Sequence, residues 1–289
     1  MARKPLSLHC DHQKELAKLL RELAYRHGLW QVWKDFVAMS ALSISNAVDR
    51  KQWTAREDEY LKIVGRYTKE EAEGMARGLA LVTLGLEVGL SDFLGSLFMA
   101  LELGDAWKGQ FFTPYEISRL MASMTVGDKG GPEIQERGFV TVSDPCIGGG
   151  AMVIAAAHAL QDQGINYQQC MHAVACDIDI VAVHMAYIQC SLLHIPAVIY
   201  HSNSLSLEVW SEWKTPAHVL GFWDAKLNRC GLSRDLTGSV AEVKPGAETV
   251  APARAQVQPL RVKTIDIAPP PVVFAASAAV DLRGQLYLF

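Results

Sequence analysis

Two acids set around a run of glycines are the residues best placed to do chemistry. Asp144 opens Asp144-Pro145-Cys146-Ile147-Gly148-Gly149-Gly150, and Asp177 follows Gly150 by 27 positions, just past the apolar run Ala173–Cys176. Consecutive glycines let backbone come close to a ligand. The Ala-rich stretch Ala151–Gln163 fits a helix that aims its free N–H groups at the turn, and Gly164 fits its stop. With Phe139–Ser143 as a short β-rich run, the order is strand, glycine turn, helix, strand, acid. An acid ending the second strand is where doubly wound folds hold ribose hydroxyls. An acid inside the turn repels pyrophosphate, so this is not the dinucleotide fingerprint GxGxxG. It suits a ligand that carries an amine.

S-adenosylmethionine has such an amine on its methionine end. The segment Asp144–Gly150 resembles motif I of the DNA adenine-N6 methyltransferases, Asp-Pro-Ala/Cys-Cys/Met-Gly-Ser/Thr-Gly. Upstream, Gly109-Gln110-Phe111-Phe112-Thr113-Pro114 resembles the Gly-x-Phe-Phe/Tyr-Thr-Pro motif of the modification subunits of type I restriction systems, which folds over the methionine end of the cofactor. The resemblance implies that Phe112, Thr113, Asp144, Gly148 and Gly150 hold the methionine end, with Pro114 and Pro145 in the same motifs. It also places Asp177 on the ribose with Ile178 beside it, and Asn203 on the adenine amino group. Thr113-Pro114 also reads as a helix cap with Pro in the first turn, ahead of a helical Tyr115–Met124.

The elements that must position these residues are helical first and mixed afterwards. Residues 11 to 103 read as five helices: Leu16, Leu19, Leu20 and Leu23 share one face before Gly28, and Trp30, Trp33, Phe36 and Val37 begin a second helix. Arg56–Tyr67 is a third and Lys69–Val88 a fourth, thinned by Gly74, Gly78 and Gly85 for close packing. Asp92-Phe93-Leu94-Gly95 opens a fifth, and this run too resembles the helical N-terminal domain of type I modification subunits. Leu79–Leu101 is the most apolar window, but Glu87 and Asp92 interrupt it, which favours buried helices over a membrane span. Past Asp177, Ile180–His194 fits a helix and Ala197–Tyr200 a third strand. The fold class expected is α/β: a helical N-terminal domain (1–104), then a truncated Rossmann-like S-adenosylmethionine-dependent methyltransferase domain (105–227).

One motif of the resemblance is missing. Adenine-N6 methyltransferases carry Asn/Asp-Pro-Pro-Tyr/Phe at the end of the fourth strand, where the aromatic stacks on the flipped base. Of the twelve prolines here only Pro145 follows an Asp or Asn. The corresponding stretch is Val209–Asp224, with Thr215-Pro216-Ala217-His218 nearest to the pattern. Trp210, Trp213 and Trp223, with Phe222, are its candidates for stacking a base, and His218 for taking a proton; a core edge is the plainer reading of so many aromatics. The catalytic residues therefore stay unknown.

From about Asn228 the composition turns to Ala, Val, Pro and Gly, so 228–280 is expected to be a flexible, disordered linker. The chain closes on Gln285-Leu286-Tyr287-Leu288-Phe289, within 281–289. This resembles the Gln-Leu-x-Leu-Phe peptide with which bacterial replication and repair proteins dock on the sliding clamp, implying that Gln285, Leu286, Leu288 and Phe289 bind it. An apolar tail packed on its own domain is the other reading.

Composition sets the outer limits. The 289 residues, 50% hydrophobic and 20% charged, suffice for a full core and exclude disorder throughout. A net charge of −4 is weak equipment for gripping DNA unaided. Six cysteines without a CxxC pair read as reduced core residues of a cytoplasmic protein. His9-Cys10-Asp11-His12 lacks a second ligand pair, so no metal is expected. The expected cofactor is S-adenosyl-L-methionine. The expected partners are DNA, the sliding clamp and a specificity or second methyltransferase subunit, in a plasmid- or phage-borne bacterial protein with no membrane contact. A degenerate methyltransferase acting as an interaction or decoy module is the rival reading.

Overall fold

The computed structural model describes residues 10–103, 112–127 and 131–232, with the backbone of 279–280 and 285–287. These fall in one compact unit (1–233 with 277–289); the second unit, 234–276, lies outside the described residues. The expected linker therefore falls almost wholly outside them, as do Leu288 and Phe289.

The leucine and tryptophan stripes build the helical part as their spacing predicts. Helix α1 (Asp11–His27) buries Leu16, Leu20 and Leu23, and Gly28, at φ 76°, turns the chain directly into α2 (Leu29–Val48). Helix α3 (Trp53–Val64) is followed by α4 (Lys69–Glu87), which begins in a capping box between Thr68 and Glu71. Within α4, a Cβ at Gly78 would come within 2.9 Å of the Phe36 ring and one at Gly85 would overlap Phe93, whereas Gly74 has ordinary clearance. The close packing therefore rests on two of the three glycines. Asp92 caps α5 (Phe93–Ala100), its carboxylate accepting from the Gly95 N–H at 2.9 Å.

After α6 (Tyr115–Val126) and α7 (Pro132–Arg137), strand β1 (Val140–Asp144) leads through the glycine turn into α8 (Ala151–Asp162). A short α9 (Tyr167–Cys170) precedes β2 (Met171–Asp177), α10 (Ile180–Leu192) and β3 (Ala197–Asn203). Then come β4 (Glu208–Lys214), α11 (Pro216–Leu220), α12 (Trp223–Arg229), β5 (Ala279–Val280) and β6 (Gln285–Tyr287). The sheet order is β4-β3-β2-β1-β6-β5. Strands β1, β2, β3 and β6 run parallel; β4 is antiparallel to β3, and β5 to β6. Helix α10 is apolar on nearly all sides because it is buried on nearly all sides, packing on β2 and β3 as well as on α2 and α5.

Three expectations change here. Residues 228–232 are ordered: α12 runs to Arg229, and Leu232 packs near Phe139, Trp223 and Leu227. The tail is not without regular structure, since Gln285–Tyr287 pairs with Thr141–Ser143 of β1. The edge of β1 not paired with β2 offers a row of backbone hydrogen bonds that an added strand can take. Finally, Cys190 is buried, but Cys146 and Cys230 are exposed and the other three half-buried.

The far edge of the sheet is closed by the helices. The buried Arg56 of α3 donates to the Glu212 carbonyl of β4 at 2.6 Å, sits 4.1 Å from the Trp213 ring centroid and pairs with Asp49 at 3.0 Å. Gln52 donates to the same carbonyl at 3.2 Å. Helical bundle and sheet are thereby tied at a strand edge.

Candidate functional site

Parallel β1 and β2 deliver Asp144 and Asp177 to the same end of the sheet, where ligands of doubly wound folds bind. A cavity of about 330 Å³ opens there, lined by Phe112, Thr113 and the turn from Asp144 to Gly149, with Ala151 and Met152 of α8. Phe112 packs on Phe98 of α5, ring centroids 5.1 Å apart. Thr113 is exposed on the cavity wall. It does not cap α6: Pro114 is the N-cap residue and no side chain caps it, which corrects the expected Thr113 cap and leaves that hydroxyl for the cavity.

The three glycines meet three different demands. Gly148 has φ 54°, and a Cβ there would meet the Phe112 ring at 3.0 Å. A Cβ on Gly149 would press on Gly95 Cα and the Asp92 carboxylate at 3.2 Å. Gly150, at φ 99°, lies against Ala186 of α10. Gly148 and Gly149 line the cavity, Gly148 against the Phe112 ring. Gly149 and Gly150 also let the turn nest against α5 and α10.

Gln189 of α10 fixes that nesting. Its side-chain N–H groups donate to Asp92 Oδ1 at 2.8 Å and to the Gly149 carbonyl at 2.6 Å, while its Oε1 accepts from the Leu94 N–H at 2.9 Å. One buried amide thus joins the Asp92-Phe93-Leu94-Gly95 cap to the turn. No sequence signal pointed to Gln189, which stands in the otherwise apolar run of α10.

The two acids differ in how they are held. Asp177 accepts from the Gly148 N–H and the Asp179 N–H, both at 2.9 Å, and burial still raises its pKa. Asp144 accepts from the Cys146 N–H at 3.1 Å and has no salt-bridge partner among the described residues. Burial pushes it up to about 7, against the pull of that N–H and helped by the nearby Asp177 charge. A carboxylate desolvated in a cavity wall without a cation gains charge stabilisation from an ammonium brought by a ligand.

At the outer side of the site, Ile178 is 63% exposed and Asn203 ends β3. The Asn203 Oδ1 accepts from the Leu205 and Ser206 N–H groups, at 2.9 and 3.2 Å. That oxygen is therefore not free to accept from an adenine amine, which corrects the expected role of Asn203; its amide N–H groups remain available as donors.

The Val209–Asp224 stretch departs most from expectation. Because β4 is antiparallel to β3, it carries the chain away from the glycine turn, and Lys214 ends beside Val198 near the opposite end of the sheet. There Thr215 caps α11, accepting from the Ala197 N–H at 2.9 Å and donating to the Ile195 carbonyl at 2.9 Å. His218 is buried between His172 (2.9 Å) and Asp224 (3.1 Å), and burial lowers its pKa. Trp223 is 1% exposed, edge-on to Phe139 at 5.2 Å; Trp213 is 3% exposed, against His184, Tyr187 and Arg56. Neither indole can stack a base, and His218 cannot reach one. Of the three tryptophan candidates, only Trp210, 45% exposed, stands at the cavity end.

Residues 99–221 match the family model described as N-6 DNA Methylase. Among solved structures, the chain is similar to a protein of Listeria monocytogenes assigned as a class I S-adenosylmethionine-dependent methyltransferase. Identity is 18% over 68% of this chain and 54% of that one, with a TM-score of 0.38. It is also similar to the methyltransferase subunit of a type I restriction-modification system from Streptococcus thermophilus, 18% identical over 72% of this chain and 42% of that one, TM-score 0.36. The chain therefore spans about half the length of the solved chains it matches. No curated protein matches it. The Phe-Phe-Thr-Pro run, the glycine turn and strands β1 to β4 all lie within residues 99–221, the part of the chain that matches the N-6 DNA Methylase model.

Proposed function

We propose that this chain binds S-adenosyl-L-methionine at the carboxyl end of β1 and β2 and serves as the cofactor-binding part of a DNA adenine-N6 methyltransferase. The observation that carries the reading is Asp144: a buried carboxylate, raised to about 7, in a cavity wall with no cation beside it among the described residues. The methionine ammonium supplies that cation, Phe112 and Thr113 cover the methionine end, and Asp177 with the Gly148 N–H lies next along the groove. When bound, the cofactor supplies the methyl group; the chain's own residues bind and orient it. Titration calorimetry tests the reading: wild type should give binding heat and Asp144→Ala little. A wild-type protein with neither heat nor thermal shift at millimolar cofactor overturns it.

A second reading has its own observation. No Asn/Asp-Pro-Pro-aromatic motif stands in the sequence, and the segment nearest to it lies at the opposite end of the sheet from the cavity. On that basis the chain acts as an interaction module, or completes its site with a specificity or second methyltransferase subunit. Labelled-methyl transfer to DNA separates the cases: transfer by the chain alone refutes the module reading, and transfer only after a subunit is added supports the shared site.

We further propose that the C-terminal Gln285–Phe289 peptide leaves its pairing with β1 to dock on the bacterial sliding clamp and so brings an acidic protein to DNA. A tail peptide should bind the clamp at roughly micromolar strength, and Leu288→Ala with Phe289→Ala should remove binding without altering cofactor affinity. Unchanged binding by the double variant would contradict this.

A further inference from the structure

The cavity has two walls that belong to different segments: Phe112 and Thr113 on one side, and on the other the glycine turn running into Ala151 and Met152 of α8. Phe112 and Thr113 form a strap immediately ahead of α6, and Pro114, the N-cap residue, brings no side-chain cap. A helix start without a cap frays unless another element holds it. The place of the strap therefore depends on what fixes the first turn of α6.

That turn is fixed on α8. The Tyr115 hydroxyl lies 3.0 Å from His158 Nδ1, and the two rings are stacked, 28° from parallel with centroids 6.3 Å apart. Burial, and after it the Arg119 charge, lower the His158 pKa, so the imidazole is neutral near pH 7. Burial raises the Tyr115 pKa, so the phenol keeps its proton. The hydroxyl then donates to Nδ1, which leaves the imidazole proton on Nε2, 3.7 Å from Asp162 Oδ1. One turn further on, Arg119 donates to Asp162 at 3.0 Å as a second rung between the same two helices. Both partners of that rung are about half exposed, so it contributes little. The Tyr115–His158 rung is partly buried, and breaking it leaves a polar group there without a partner.

Strap and turn are thereby joined in a closed circuit: from Phe112 and Thr113 into α6, across the Tyr115–His158 bond to α8, and back along α8 to Ala151. Neither Tyr115 nor His158 is among the residues that line the cavity. We propose that Tyr115 and His158 are positioning residues for the cofactor, a clasp that holds the strap of Phe112 and Thr113 over its methionine end. The inference rests on the cofactor reading of the cavity and adds to it what keeps the cover in place.

Titration calorimetry with S-adenosylhomocysteine and with adenosine, which lacks the amino-acid end, tests the clasp. Tyr115→Phe keeps the ring and removes the hydroxyl; it should weaken S-adenosylhomocysteine about fivefold, as the loss of one hydrogen bond does, and leave adenosine within about twofold of wild type. His158→Leu should behave in the same way, whereas His158→Asn, whose side-chain oxygen can accept from the hydroxyl, should recover most of the affinity. Asp162→Asn, which weakens only the exposed rung, should bind both ligands as wild type does. Wild type that binds S-adenosylhomocysteine, with Tyr115→Phe equal to it or weakened equally for both ligands, overturns the clasp and leaves the cofactor reading standing. Wild type that binds neither ligand overturns both.

Discussion

The two ends of the sheet use the same kinds of residue in opposite ways. At the carboxyl end, the buried Asp144 and the half-buried Asp177 accept from backbone N–H groups, and Ile178 and Trp210 are left at the surface. At the amino end, Thr215, His218, His172 and Trp223 are buried and engaged with one another or with backbone. One end holds a carboxylate without a cation and open stacking surface, which a ligand can complete; at the other the side chains are packed away from solvent, with His172 Nδ1 the one nitrogen of the two imidazoles left without a hydrogen bond. What assigns Trp213–Asp224 to the second group is not its composition but the antiparallel direction of β4, which carries Trp213 and Trp223 away from the turn.

Substitutions can break or sharpen this contrast. The largest effect should come from Trp213→Ala, which removes a buried indole packed on Arg56, His184 and Tyr187 and should lower stability by about 3–5 kcal/mol in chemical denaturation. Trp210→Ala should change it by less than about 0.5 kcal/mol. A Trp213→Ala protein that folds as well as wild type but loses a ligand would erase the distinction between the ends.

Next in size is the pH dependence of Asp144. Its folded pKa, about 7, lies above the unfolded value near 3.8, so the folded state holds a proton that the unfolded state has lost between those values. The ligand-free protein should therefore lose stability as pH rises through that window, by on the order of 1.4 kcal/mol per unit at most. The difference between wild type and Asp144→Asn, followed by thermal melts from pH 5 to 8, should show this slope. A difference that does not vary with pH would mean that Asp144 is already paired.

Gln189→Leu should follow, at roughly 2–4 kcal/mol, because it strands the Gly149 carbonyl and the Leu94 N–H in a buried site and leaves the Asp92 carboxylate with the Gly95 N–H alone. It should also weaken cofactor binding, since the turn loses its anchor to α5. Normal stability with normal affinity would show that Gly149 needs no such anchor.

Much of the carboxyl end was legible in the sequence. Glycines, an acid at each strand end and the Ala-rich helix start are local signals, and β1, α8, β2, α10 and β3 stand within a few residues of where they were read. Strand direction is not local. Glu208–Lys214 holds the Val and Trp residues a strand favours, but nothing in them says that it returns antiparallel along β3. The roles of Gly149 and Gln189 were hidden for a similar reason, since they depend on α5, whose cap lies far upstream in the chain. The pairing of Gln285–Tyr287 with β1 was likewise out of reach, because a three-residue strand has no period to detect.

Calorimetric titration of S-adenosylmethionine at pH 6 and pH 8, into wild type and Asp144→Asn, tests the central claim most directly. If the ammonium is held by the Asp144 carboxylate, wild-type affinity should rise about tenfold between the two pH values as that group, with a pKa of about 7, loses its proton. Asp144→Asn should bind more weakly at pH 8 and show no such rise. Equal affinities for the two proteins at both pH values would contradict the account.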